Sequence, residues 1–239
     1  MNRVQINNVD HADLKVAIAY GADYGDSVNQ LPVFPTEFEE VAREYPILFQ
    51  RDDNGVCQSL ALLGLDRDEN LFLSEKGWLG RYVPAIQQRG PFSIGLVRSE
   101  HGDEPADALI HADLDDPRVG SESGHALFLP HGGNAPYLNH IAGVLRVLHQ
   151  GVELSGPMFA AFEDHGLLRP VTLEVKLAEG RQYDIPDRFT IDEVRLSQLD
   201  GAALEKLNSG GFLRAAFAVA WSLANVARLV DLKNQRDRG

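Results

Sequence analysis

The run Leu31–Asp52 reads LPVFPTEFEEVAREYPILFQRD. Its punctuation predicts one short helix delivered straight into a buried strand. Thr36 with Glu39 three residues on has the spacing of a capping box, in which each side chain satisfies an amide that the first turn leaves unpaired. Pro35 sets the entry of the chain. Phe38, Val41, Ala42 and Tyr45 fall at i, i+3, i+4 and i+7, one helical face. Glu37, Glu39, Glu40, Arg43 and Glu44 take the other face. Pro46 lacks an amide hydrogen and disfavours helix at Tyr45, so the helix ends there. Ile47–Phe49 begins an apolar strand. Asp52-Asp53-Asn54-Gly55 supplies a turn whose Asn-Gly pair suits positive φ, and Val56–Leu65 returns as a second apolar run. These are capping and packing signals, and they read as core scaffold.

Working outward, the chain has 239 residues, enough for one large domain or two small ones. Its net charge is −13, with 35 acidic residues against 22 basic. That balance argues against nucleic acid or insertion into an anionic membrane, since both want a positive face. The single cysteine, Cys57, excludes an intramolecular disulfide and an all-cysteine zinc site. It lies in the apolar run after the turn and is expected to be buried and inert. The N-terminus shows no apolar signal region. The longest uncharged apolar run, Ala215–Ala227, is 13 residues and reads as a core helix too short for a bilayer. A cytoplasmic location is the expectation.

The fold class expected is α+β. Short strands at Leu14–Ala19, Asn70–Leu73, Phe92–Val97, Ala108–Leu114 and Ala126–Leu129 suggest a mainly antiparallel sheet in the N-terminal half. Beyond Gly132 the pattern turns helical. One helix is predicted from Pro136 to about Gln150, with Leu138, Ile141, Val144, Leu145 and Leu148 as its stripe. A second is predicted from Gly156 to His165, stopped by Gly166. Val171–Leu177 reads as a strand that Arg181–Ile185 pairs back upon. A short helix at Ala202–Leu207 precedes a long C-terminal helix, Leu213–Asp231. The expected organisation is a single domain over 1–239, sheet-rich over 1–131 and helix-rich over 132–239.

For chemistry, His111 and Asp113 stand at i and i+2, on one face if the stretch is a strand. That is two-thirds of the facial triad that holds non-haem iron, and His125, His131, His140, His149 and His165 are the downstream histidines that would complete it. The plainer alternative makes Asp113, Asp115 and Asp116 a solvated turn ended by Pro117. His131-Gly132-Gly133 offers a weak loop site, or simply a turn before the Pro136 helix. Trp78, Arg81 and Tyr82 form an aromatic-plus-guanidinium cluster of the kind favoured in recognition, or the capping of a sheet edge. No nucleophile elbow, dinucleotide fingerprint or phosphate-binding loop occurs.

Five runs together carry a resemblance: Asp10-His11, FPTEFEEVAREYPILF, NLFLSEKGWLGRYVPAIQQRGPFSIGL, HADLDDPRV and LFLPHGG. With them, the chain resembles the bacterial SapC family from about Val4 to Arg236, and the pattern Phe-Pro-x-Glu-Phe with Tyr-Pro-Ile-x-Phe is complete at Phe34–Phe49. The resemblance implies association with peptide transport or surface-layer export. It implies neighbours that are halogenase-like, cupin-like or outer-membrane receptor proteins. It implies no catalytic residue and no cofactor. The expectation is therefore a non-catalytic accessory protein binding a peptide or protein partner in peptide uptake, surface-protein export or peptide modification. On this reading Trp78, Arg81, Tyr82 and His131 are the binding residues, and a homo-oligomer stands as a further arrangement. The rival is a metal-dependent peptide- or amino-acid-modifying enzyme with His111 and Asp113 as ligands.

Overall fold

Most of the strands are short, and among the described residues the longest element is a helix of 29 residues. The computed structural model describes residues 2–96, 108–178 and 180–238. In chain order its elements are β1 (Arg3–Gln5), β2 (Lys15–Val16), β3 (Gln30–Pro32), α1 (Phe38–Val41), β4 (Ile47–Arg51), β5 (Cys57–Leu62), β6 (Leu73–Ser74), β7 (Gly77–Trp78), α2 (Ala85–Gln88), β8 (Phe92–Leu96), β9 (Ala108–Asp113), β10 (His125–Ala126), α3 (Pro136–Asp164), β11 (Leu168–Lys176), β12 (Gln182–Ile191), α4 (Glu193–Ser197), α5 (Gly201–Ser209), α6 (Phe212–Ser222) and α7 (Val226–Arg236). The strands pair antiparallel throughout, so the fold is α+β as expected.

The contacts divide the chain into two compact units. One unit takes Met1–Tyr20 and Ala85–His149, the other Gly21–Pro84 and Gln150–Gly239. In the first, β8 and β9 pair as anticipated and β1 adds beside β9, while β2 pairs with β10. Val97 and the acidic loop His101–Glu104 lie outside the described residues. Phe92 is buried and meets the Tyr137 ring edge-on at 6.1 Å. The stripe Leu138, Ile141, Val144, Leu145 and Leu148 is buried as its spacing predicts.

The second unit holds a five-stranded sheet in the order β11-β12-β4-β5-β3. The Asp52–Gly55 turn joins β4 to β5, with Gly55 at φ 80°. Register opposes Phe49 to Ser59 and Arg51 to Cys57. Alternation then places Ile47, Phe49, Arg51, Cys57, Ser59 and Ala61 on one face. The second half of α3 covers that face: Phe49 packs against Phe159 at 5.0 Å and Phe162 at 6.1 Å. The helix comes so close that a Cβ on Gly151 would lie 2.4 Å from the Phe34 Cβ. Ser222 of α6 accepts the Ile47 amide at 2.8 Å.

Several expectations change. The helices predicted on either side of Gly151–Ser155 are one, α3, running through Pro157. Proline removes one helical hydrogen bond, but Met158, Phe159 and Phe162 are buried on the sheet, and that burial outweighs the break. The long C-terminal helix is as expected, running over 212–236 through a 3-10 turn at Leu223–Asn225. By length and composition 212–236 is the one stretch among the described residues apolar enough to cross a membrane; Ala215, Ala216, Val219 and Leu229 on it are buried within the protein. The helix after Pro35 is also shorter than predicted. A 3-10 turn, Pro35–Glu37, precedes α1, and Glu37 rather than Thr36 and Glu39 makes the cap: its carboxylate accepts the Phe34 amide at 3.3 Å. Glu39 instead pairs with Arg214.

Candidate functional site

Glu37 and Glu44, expected in solvent, are buried. Each turns inward because the segment Trp78–Tyr82 brings it donors. Tyr82 donates its hydroxyl to Glu37 Oε2 at 2.7 Å. The Arg81 amide donates to both Glu44 oxygens, at 2.8 and 3.0 Å, and Arg228 Nη1 reaches Oε2 at 3.2 Å. Between them Tyr45 donates to the Tyr82 carbonyl and accepts from Trp78 Nε1 at 2.8 Å. A Cβ on Gly80 would lie 2.2 Å from the Tyr45 hydroxyl, so this knot closes only over a glycine. Burial pushes the Tyr45 hydroxyl well above the usual phenol range, against a smaller lowering by the Trp78 bond. Burial raises Tyr82 as well, and the Glu37 charge adds to it.

The structure thus brings Trp78, Arg81 and Tyr82 together, but two of the three side chains look inward as donors of the knot. Arg81 lines a cavity with Arg43 and Arg228, and Tyr82 lines it too while giving its hydroxyl to Glu37. His131 belongs to the other unit. It stands exposed on the turn closed by the Leu129 amide and the Gly133 carbonyl at 3.0 Å, with Gly132 at φ 89°. His111 and Asp113 do lie on a strand, β9. The Asp113 carboxylate accepts the backbone amides of Asn2 at 2.7 Å and Asp115 at 3.2 Å. The His111 ring lies over Gly95, where a Cβ would sit 2.5 Å from Cε1. Among the described residues no group of three or more histidine, cysteine or acidic side chains is placed to hold a metal ion.

A different place has the form of a binding site. Between β5 and the second half of α3 lies a slot of about 640 Å³, walled by Val33, Cys57 and Ser59 on the sheet and Val152, Phe159 and Ala160 on the helix. Arg51 and Glu163 stand along it as an ion pair at 2.7 Å. Cys57, expected deep in the core, is only half-buried here, with Sγ 3.8 Å from Glu163 Oε1. Desolvation raises the Cys57 thiol, which keeps it a protonated donor rather than a thiolate. Ser59 is buried, and its Oγ has no hydrogen-bond partner among the described residues. The sheet edge is open at the same point. β3 pairs with Leu60–Leu62, and the Val33 amide still reaches the Ser59 carbonyl at 3.0 Å. The chain then leaves through Phe34-Pro35, and proline has no amide to offer. Alternation points the Cys57 backbone groups to that same uncovered side. A serine at an inward position of an apolar strand, two residues after a cysteine, was the readable signal for this site.

The SapC family model matches residues 6–229. The chain belongs to the SapC family. No curated protein and no solved structure matches it. Two stretches that carry the family resemblance, Phe34–Phe49 and the run that starts at Asn70, meet in the knot through Trp78, Arg81 and Tyr82.

Proposed function

We propose that this SapC-family chain is a non-catalytic accessory protein that binds an extended peptide segment as an added strand along β5. The observation that carries the reading is the buried, unpartnered Ser59 hydroxyl flooring an apolar slot beside an open sheet edge. A buried polar atom without a partner costs about 1–3 kcal/mol, and a ligand that satisfies it recovers that amount. Edge strands accept peptides through main-chain hydrogen bonds, with alternate side chains entering pockets. The slot is within the size range of ligand cavities, and its walls suit an apolar side chain. The protonated Cys57 thiol supports binding over nucleophilic chemistry. A cytoplasmic role in peptide uptake, surface-protein export or peptide modification, beside products of neighbouring genes, completes the proposal.

The test is to pan a displayed library of random dodecapeptides against the protein and against Ala160→Trp, which fills the slot from an exposed helix position. Enriched peptides should bind the parent, protect the Cys57 amide from hydrogen exchange, and fail on the variant. Equal enrichment on both proteins, or none on the parent, overturns the reading.

A further inference from the structure

The cavity that Arg81 enters shares no lining residue with the slot. It holds about 500 Å³ between α1 and the turn after it, the loop after β7, and α7. Three guanidinium groups line it, those of Arg43, Arg81 and Arg228, in a chain whose net charge is −13. Two carboxylates line it as well, and both are engaged. Glu40 pairs with Arg43 at 2.7 Å. Glu44 is buried under the two Arg81 amide bonds and the Arg228 pair. Arg228 also lies over the Phe72 ring, 5.2 Å from its centroid. Arg81 is left: its side chain has no hydrogen-bond or ion-pair partner among the described residues, although its backbone is fixed by Glu44 and the next residue by Tyr45 and Glu37. One guanidinium is therefore carried on a fixed backbone with its charge uncompensated. Leu79, half-exposed, supplies an apolar wall beside it.

We infer that this cleft binds the carboxylate of a small acid with an apolar body, gripped by Arg81. A guanidinium matches a carboxylate with two parallel hydrogen bonds. Three cations against two carboxylates leave a single positive charge, which matches a monoanion better than a phosphate dianion. The backbone that carries Arg81 is already fixed, so binding has only its side chain to order.

Calorimetric titration with N-acetyl-leucine, N-acetyl-phenylalanine and N-acetyl-alanine, each against its amide, tests the site. The acids are expected to bind, more weakly as salt rises, and the amides not. Arg81→Ala should weaken the acids at least tenfold with its unfolding midpoint unchanged, because the Glu44 bonds are to the backbone and survive. Arg169→Ala, on an exposed stretch of β11, should change nothing. Ala160→Trp should also leave the acids bound, which separates this site from the peptide slot. Amides binding as well as acids, no acid binding, full affinity in Arg81→Ala, or inorganic phosphate binding as tightly as the acids would each overturn the inference.

Discussion

The knot around Tyr45 and the slot beside Ser59 are built from the same materials and end in opposite states. Both place polar groups against the five-stranded sheet's unit where water is largely excluded. In the knot the Tyr45 hydroxyl has both a donor and an acceptor, and the Glu44 carboxylate takes the Arg81 amide across both oxygens and Arg228 on one. In the slot the Ser59 hydroxyl has none among the described residues. A saturated network rigidifies what it joins. An unsaturated one is a cost that folding alone does not remove, and on the proposed reading of the slot a bound peptide removes it. The difference separates scaffold from site more sharply than residue type does, since Trp and Tyr suggest recognition and here serve construction.

The largest expected effect falls on the knot. Gly80→Ala pushes a methyl group into the Tyr45 hydroxyl, Glu44 and Trp78 Nε1 together. Overpacking plus lost hydrogen bonds should destabilise the protein by about 4 kcal/mol, read as a lower urea midpoint. A loss under about 1 kcal/mol would show that the knot opens at little cost, and the contrast with the slot would fail. Tyr45→Phe is milder. It strands Trp78 Nε1 and the Tyr82 carbonyl, at about 2 kcal/mol. Its packing against Phe72, ring centroids 4.6 Å apart, stays.

Much of this contrast was legible in advance, though not the part that matters for function. The helix-to-strand path through Pro46, the hairpin at Asn54-Gly55, and the stripe on α3 all follow from local spacing. The inward turn of Glu37 and Glu44 does not, because their donors sit about forty residues on, in a segment too irregular to place. Pro157 misled for a similar reason: a local breaker was outweighed by burial against a strand more than a hundred residues earlier. Cys57 read as core because the run after the hairpin is apolar. What exposes it is where β3 stops, a tertiary fact.

The knot also has a pH signature. Tyr45 and Tyr82 hold their protons more tightly folded than unfolded. Their contribution is complete below about pH 10, the unfolded phenol value, and is lost as pH climbs towards the raised folded values. Each should remove about 1.4 kcal/mol per pH unit in that range. Lysine titration adds to the parent curve, so the informative quantity is a difference. Stability plotted from pH 10 to 11 should fall less steeply in Tyr45→Phe than in the parent by about that amount. Parallel curves would mean that Tyr45 is not shielded, and the saturated side of the comparison would lose its physical basis.

Ser59→Ala is the smallest effect and the most discriminating. It removes a hydroxyl that has no partner while keeping the strand, so nothing is stranded by its loss. Unliganded stability should stay within about 0.5 kcal/mol of the parent or rise slightly, against the clear loss from Tyr45→Phe. Binding should respond the other way: peptides selected on the parent should weaken on Ser59→Ala wherever they use the hydroxyl, while N-acetyl-leucine in the arginine cleft is unaffected. Urea unfolding and peptide titration on the same preparation separate the two. A destabilisation above about 1 kcal/mol without ligand would mean that Ser59 is already satisfied in solution. The slot would then be a second knot, and the distinction between a finished region and one awaiting a partner would no longer hold.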